Sequence, residues 1–283
     1  MKNILKAELF KLKKRTSTWV CLCVLLGFAL FYIGLYTLIR RLEGVGTGGI
    51  RLFNVNASIT IEVLSNSFLL LTILLSVLIS VIYAGERRRG VLRNSLYAGV
   101  PRYKVFLSKY IACVFMTVFA YTALTLLYMF AFGLMGGWGA ASAGRFIGFW
   151  FLMLLQATAV STLVFMLSIA TKSTGATIGI VIGMVFFFNI LSSIASFGTM
   201  MSIVGGSNTF FRVLEEINLL FAGSQIGIIG SQQGFSLFGD LMFDGLTTTL
   251  SDLRLLQSIM VGIITLTASL AGAMAIFCKQ DQK

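Results

Sequence analysis

Few residues of this chain could carry out chemistry, and they do not form a catalytic set. The sequence contains no histidine, which removes the most frequent general base and metal ligand of proteins. Glu215 and Glu216 form an acidic pair, but no histidine can complete a metal site with them. The cysteines lie in or beside apolar runs without a C-x-x-C pair, which favours small buried side chains at Cys21, Cys23, Cys113 and Cys278. We therefore predict no catalytic residue, no cofactor and no metal ion in this chain.

Two glycine patterns bear on nucleotide binding. Gly44, Gly46 and Gly49 spell G-x-G-x-x-G, but that motif binds a dinucleotide only between a strand and a helix of a parallel sheet. Here it follows a long apolar run. The phosphate loop G-x-x-x-x-G-K-[ST] does not occur, because the sequence has no Gly-Lys dipeptide. If ATP drives this protein, a separate subunit must bind it.

The segment 85–109 is too long and too patterned for a simple turn between two helices. It carries basic residues in a fixed order with glycines, an amphipathic turn and Pro101, the only proline of the chain. Proline fits the first turn of a new helix. Its candidate functional residues are Glu86, Arg87, Arg88, Arg89, Gly90, Leu92, Leu96 and Arg102.

The elements that must position these residues are membrane helices. The chain has 283 residues, of which 57% are hydrophobic and only 11% are charged, and this composition excludes an ordinary soluble enzyme. A helix needs about 20 apolar residues to cross a bilayer. Six runs meet this requirement, at 19–39, 65–84, 110–133, 146–170, 176–197 and 259–278. The sequence predicts an all-α polytopic membrane protein, with residues 1–283 forming a single transmembrane domain.

Charge sets the predicted orientation. Most of the 22 basic residues lie in segments 1–18, 85–109 and 279–283, together with Lys172. Basic loops stay in the cytoplasm, so we expect both termini and the segment 85–109 on the cytoplasmic side. The glycine-rich region 198–258 is expected outside, as re-entrant or outer helices before the last span.

Residues 1–18 predict an amphipathic helix on the cytoplasmic membrane surface. Leu5, Leu9 and Leu12 share one stripe, and the basic side chains of Lys13 and Arg15 flank it. This helix could bind anionic lipid as a topology signal, and it could also meet a cytoplasmic partner.

Polar residues inside the spans are sparse. Gln156 and Asn189 could hydrogen-bond a substrate or form helix contacts, and helix contacts are the favoured interpretation. Gly175, Gly179 and Gly183 recur at every fourth residue, which predicts a close helix approach within one copy or between two copies.

The order of these features resembles the membrane subunit of type-2 ABC exporters. The resemblance rests on the basic surface helix, the first span, Glu86-x-x-x-Gly90 after the second span, and Pro101-Arg102 before Lys109. It implies that 85–109 holds the coupling helix, which docks on a separate ATPase that binds ATP and magnesium. It also implies that spans two and five border the substrate path, and that a second permease copy or a paralogue completes the transporter in a bacterial cell membrane. The implied substrates are peptides, antibiotics or other amphipathic, drug-like molecules, as in multidrug or antimicrobial peptide resistance.

Three functions compete on this basis. The favoured one is a non-enzymatic permease that exports its substrate by alternating access, with membrane lipid but no nucleic acid among its partners. The alternative is an ion-coupled secondary transporter, which the absence of ionisable residues inside the spans disfavours. An intramembrane enzyme is least favoured, because the spans contain no catalytic acid and the chain no histidine.

Overall fold

The computed structural model describes residues 2–46, 60–88, 101–137, 143–171, 173–203 and 252–279. Within these ranges the chain forms seven helices and no strand, which confirms the all-α class for this part of the protein. In chain order they are α1 (Lys2–Lys14), α2 (Thr16–Gly46), α3 (Thr60–Arg88), α4 (Arg102–Gly136), α5 (Ala143–Thr171), α6 (Thr174–Ile203) and α7 (Asp252–Lys279).

Four of these helices are long and apolar enough to cross a membrane. The qualifying stretches are Thr16–Leu38, Arg102–Met135, Phe146–Thr171 and Leu256–Lys279. In the described residues, α3 and α6 carry shorter apolar stretches at Leu70–Tyr83 and Thr174–Phe187. Length and composition thus support a multi-pass membrane protein, and the count of six spans stays a prediction.

Each predicted span lies inside one helix, but the helix ends differ from the predicted boundaries. The surface helix predicted over 1–18 ends at Lys14. The helix α3 continues through Arg88, so the predicted loop 85–109 begins as helix. The predicted outer region 198–258 is helical at both ends, since α6 extends to Ile203 and α7 begins at Asp252. Hydropathy marks only the apolar part of a helix, and the backbone hydrogen bonds continue into polar flanks.

The break between α1 and α2 lies at Arg15. The backbone N–H of Thr18 donates to the Arg15 carbonyl at 3.1 Å, and the Trp19 indole N–H donates to the Lys13 carbonyl at 2.8 Å. The second bond satisfies one of the carbonyl groups that the end of α1 leaves without an intrahelical partner. It fixes the direction in which α2 leaves α1.

The helix α5 is the centre of the bundle. It packs against α3, α4, α6 and α7, and 72% of its apolar stretch is buried, against 17% for α2. Met153, Ala159 and Ile169 have no exposed surface. An apolar helix that is buried all round needs neighbours on every side, whereas α2 presents side chains such as Phe31 outward, as a lipid-facing helix does.

The helix α4 ends at a glycine that its backbone geometry requires. Gly137 has φ 90°, in the region that side chains disfavour, and its N–H donates to the Gly133 carbonyl at 2.9 Å. This bond closes the last turn of the helix.

Candidate functional site

The start of α4 follows directly from the local sequence. Pro101 is the N-cap residue, with φ −62° and ψ 138°. Its carbonyl accepts hydrogen bonds from the backbone N–H groups of Lys104 at 3.0 Å and Val105 at 3.4 Å. The missing N–H of proline costs nothing at this end of a helix. The helix therefore begins at Arg102, where the segment 85–109 enters α4.

A hydrogen bond joins the start of α4 to the end of α7. The Arg102 guanidinium donates from Nη1 to the Cys278 carbonyl at 2.9 Å. The last carbonyl groups of a helix lack intrahelical partners and carry partial negative charge, so a cation suits this position. The contact ties two helix ends that lie 176 residues apart in the sequence.

An ion pair joins α4 to α1. Lys109 Nζ lies 3.3 Å from Glu8 Oε1, and these two side chains are only 7% and 11% exposed. Lys11 Nζ lies 3.1 Å from the same carboxylate oxygen, but its side chain is 44% exposed. Glu8 thus accepts from two lysines, one in its own helix and one in α4, and the pair to Lys109 is shielded from solvent.

Five aromatic rings connect the start of α4 to three further helices. Phe165 of α5 is the centre of this aromatic cluster. Its ring centroid lies 5.8 Å from Phe106, 5.9 Å from Tyr83 and 6.1 Å from Tyr110, and Phe106 lies 5.6 Å from Phe277. Tyr83 belongs to the last turns of α3, and Phe277 to the last turn of α7. Such ring pairs contribute about 0.5–1.5 kcal/mol each beyond their burial.

These contacts meet at one place, which we call the α4 junction (Arg102, Phe106, Lys109 and Tyr110). Polar contacts attach it to α1 and α7, and the aromatic cluster attaches it to α3, α5 and α7. Packed interiors transmit displacement because they contain few voids. The α4 junction therefore links the start of α4 directly to four other helices, α1, α3, α5 and α7. The arrangement suits transmission of movement, and the described residues hold no cluster of His, Cys, Asp or Glu that could bind a metal ion.

Comparison with known families gives this geometry a context. A family model described as ABC-2 family transporter protein matches residues 4–191, about two thirds of the chain. This chain belongs to the ABC-2 transporter family. No curated protein gives a significant match. The family match includes Glu8, the α4 junction and Phe165, whereas Phe277 lies beyond it.

Family membership makes the chain a membrane transport component of an ABC system and implies a partner ATPase. ABC-2 permeases are generally not catalytic themselves.

The predicted coupling residues of this ABC-2 permease fall at the edge of the described structure. Glu86, Arg87 and Arg88 are the last residues of α3, and their side chains lie outside the described part. Arg89, Gly90, Leu92 and Leu96 also lie outside the described residues. Arg102 is the only member of the set whose side chain is described, and it contacts α7 rather than solvent alone.

The predicted surface helix packs against the bundle of the permease. Leu12 is buried against Leu78, Ala112 and Met116, and Leu9 packs at the edge of this group. Leu5 and Arg15 are partly buried, and Lys13 is exposed. The leucine stripe therefore covers α3 and α4, and the basic residues beside it lie at the periphery.

The two polar residues predicted inside the spans have different positions. Gln156 has no exposed surface, and its Nε2 donates to the Ser258 carbonyl at 2.6 Å and lies 3.2 Å from Ser258 Oγ. Gln156 therefore makes a contact between α5 and α7. Its Oε1 atom has no partner among the described residues. Asn189 lies in α6, and its side chain is outside the described part.

The glycine face of α6 does not pack on the described helices. A Cβ atom added at Gly175, Gly179 or Gly183 would meet nothing within 4 Å. Among the described residues, close approaches instead occur on α7. An added Cβ would lie 3.1 Å from Gln156 Nε2 and from Leu155 at Gly262, and 2.9 Å from Met166 Sδ at Gly272. The α6 glycines are exposed in the single chain.

A row of hydroxyl side chains lies inside the bundle on α3. Thr72, Ser76 and Ser80 recur at every fourth residue and are buried. Thr72 and Ser161 of α5 line a gap of about 10 Å³, close to the volume that one water needs. The hydroxyl oxygens of Thr72 and Ser80 have no partner in the described part of the chain. These hydroxyls form a polar seam within an apolar bundle. Each unpaired buried hydroxyl costs free energy.

Sequence reasoning missed Glu8 and the aromatic cluster. A lone acid inside a strongly basic helix was a usable signal for Glu8, because a single carboxylate among lysines and an arginine must find a partner. Tyr83 and Phe277 carried a weaker signal, as aromatic residues close to the charged ends of two predicted spans. Their meeting with Phe165 depends on tertiary packing.

Proposed function

We propose that this chain is the permease subunit of an ATP-driven exporter in a bacterial cell membrane. In this proposal six spans cross the membrane and both termini face the cytoplasm. The segment 85–109 docks on a separate ATPase, which binds ATP and magnesium, and a second permease copy or a paralogue completes the transporter. The substrate is an amphipathic peptide, antibiotic or drug-like molecule, and membrane lipid surrounds the whole.

The observation that carries the proposal is the α4 junction. ATP binding in the partner would displace the segment between α3 and α4. The Arg102 bond to α7, the Glu8 pair to α1 and the aromatic cluster would pass this displacement to the rest of the bundle. A transporter that works by alternating access needs such a connection, because ATP binding must favour one of two arrangements of the spans.

The polar seam of α3 supports a path beside this helix. The structure holds Thr72, Ser76 and Ser80 against neighbouring helices, where two of their oxygens are unpaired among the described residues. Separation of α3 from α5 and α6 would expose these hydroxyls to water or to polar groups of a substrate. We therefore place the substrate path beside α3. The resemblance to type-2 ABC exporters adds α6, because α3 and α6 contain spans two and five.

The first test is ATPase docking. The triple variant Arg87→Gln, Arg88→Gln, Arg89→Gln should lower co-purification of the partner ATPase. A matched control changes Arg40, Arg41 and Arg51 to Gln, which removes the same charge from the predicted opposite side of the membrane. Equal co-purification of both triple variants would contradict docking through 85–109.

The second test is coupling. Glu86→Ala should separate ATP hydrolysis from transport in proteoliposomes that contain the permease and its ATPase, while Glu62→Ala at the other end of α3 serves as the control. Transport by Glu86→Ala at the wild-type rate would remove Glu86 from the mechanism.

Transport driven by a proton or sodium gradient without the ATPase would establish the secondary transporter instead.

A further inference from the structure

An apolar groove opens between α1, α2 and α4, and the proposed transport function does not use it. Its volume is about 370 Å³. Its walls are Leu9 and Lys13 of α1, Trp19 and Leu22 of α2, and Phe115 and Phe119 of α4. Among the residues that the structure describes, Lys13 is the only charged one in the lining, and it is exposed.

The aromatic residues of the groove offer rigid apolar walls. Phe115 and Phe119 are stacked, with ring centroids 6.4 Å apart and planes at 16°, and each is 51% exposed. The Trp19 ring is 55% exposed, and its N–H is satisfied by the Lys13 carbonyl at 2.8 Å. These side chains present ring surface without an unsatisfied donor, which suits an apolar chain as occupant.

The charge around the groove selects a negative headgroup. Residues 2–15 contain six basic residues and a single acid, Glu8. That carboxylate already accepts from Lys11 and Lys109. A zwitterionic headgroup would bring its own cation to this basic surface. In a two-fold pair of chains formed through this face, the two basic α1 helices would repel each other.

We propose that the groove binds one anionic phospholipid, with its phosphate at Lys13 and an acyl chain along Leu22, Phe115 and Phe119. The basic end of α1 supplies the electrostatic attraction, and the apolar walls supply the hydrophobic contact. The proposal requires a membrane around α2 and α4, but it does not require ATP coupling. A variant that loses the lipid preference but keeps ATP-driven transport would thus show that the lipid site and the proposed transport function are independent.

Two neighbouring lysines provide a matched pair for the test. Lys13 lines the groove, whereas Lys14 Nζ lies over the Phe10 ring at 5.3 Å and is not part of the lining. Lys13→Gln and Lys14→Gln remove the same charge from adjacent positions. A general basic surface would respond equally to both changes, and a discrete site would respond to the first.

The readout is quenching of Trp19 by brominated lipids. The chain has three tryptophans, so Trp138→Phe and Trp150→Phe leave Trp19 as the reporter in nanodiscs of phosphatidylcholine. Brominated phosphatidylglycerol should quench Trp19 at a lower mole fraction than brominated phosphatidylcholine. Lys13→Gln should reduce this preference by about fivefold, the effect expected for one lysine at a charged surface, while Lys14→Gln should preserve it.

Native mass spectrometry gives a second measurement on chains that keep all tryptophans. Wild type and Lys14→Gln should retain one phosphatidylglycerol through delipidation, and Lys13→Gln should lose it. Equal retention by the two lysine variants, or equal quenching by both brominated lipids, would overturn the site. Displacement of the lipid by glycerol phosphate, which lacks acyl chains, would show an anion site instead and would also overturn the proposal.

Discussion

Glu8 is the residue on which the contact between α1 and the bundle depends most. It is the acidic member of a largely buried ion pair, and the opposite charge comes from α4. Removal of one partner from a buried pair costs more free energy than the intact pair contributes, because the other charge stays in a poorly solvated place. The exposed lysines of α1 predict neither the sign nor the size of this change in stability.

We expect Glu8→Gln to lower the free energy of unfolding by about 1.5–3 kcal/mol, the range for hydrogen bonds to charged groups, because Lys109 exchanges a charged acceptor for a neutral one. Lys11→Gln is the control, because its exposed pair with the same carboxylate contributes at most about 1 kcal/mol. Thermal unfolding of the two variants in detergent measures the difference. Equal midpoints for both variants would contradict the importance of the Lys109 pair.

Gln156 allows a test between its two interpretations. Gln156→Leu should lower stability by about 1 kcal/mol, the value of a hydrogen bond between membrane helices. Ser258→Ala should cost less, because the carbonyl that accepts at 2.6 Å remains. A variant Gln156→Leu with unchanged stability and altered transport would instead identify a substrate contact.

At the scale of elements, the interface between α5 and α7 is closely packed at a glycine. Gly262→Ala would place a Cβ atom 3.1 Å from the side chains of Gln156 and Leu155, so these side chains must give way by a few tenths of an ångström. We expect a loss of about 1–3 kcal/mol, as for other overpacked cores. Gly179→Ala on α6 meets open space and should leave the unfolding midpoint unchanged or slightly higher.

The Gly179→Ala variant also tests whether α6 contacts a second copy of the permease. If the α6 glycines form the contact between copies, Gly179→Ala should weaken dimer formation in cross-linking experiments while the single chain stays stable. Wild-type cross-linking of Gly179→Ala would remove this glycine from the contact.

Much of the arrangement of elements could be predicted from the sequence. Every span predicted from a long apolar run lies within a helix, because a segment that crosses a membrane must satisfy its own backbone hydrogen bonds. The start of α4 was also predictable, since Pro101 acts locally. The partners of Arg102, Lys109 and Gln156 were not, because they lie more than a hundred residues away along the chain. Helix ends were missed where polar flanks continue the helix, as at Arg88.

At the scale of the whole molecule, the charge distribution predicts orientation. In a variant without native cysteines, Lys283→Cys should react with a membrane-impermeant maleimide only after the cells are permeabilised. Gly46→Cys at the end of α2 should react in intact cells. The physical reason is that basic loops remain on the cytoplasmic side. The reverse pattern of labelling would invert the predicted topology and contradict ATPase docking through 85–109.

The bond from Gln156 to Ser258 also has a consequence for biogenesis. The ribosome delivers α5 to the membrane well before α7, since the two residues are 102 positions apart. During this interval the amide of Gln156 lacks its native acceptor. An arrested or truncated chain would therefore display a polar group in hydrocarbon, a mark by which membrane quality-control proteases could distinguish an unfinished permease from a completed one.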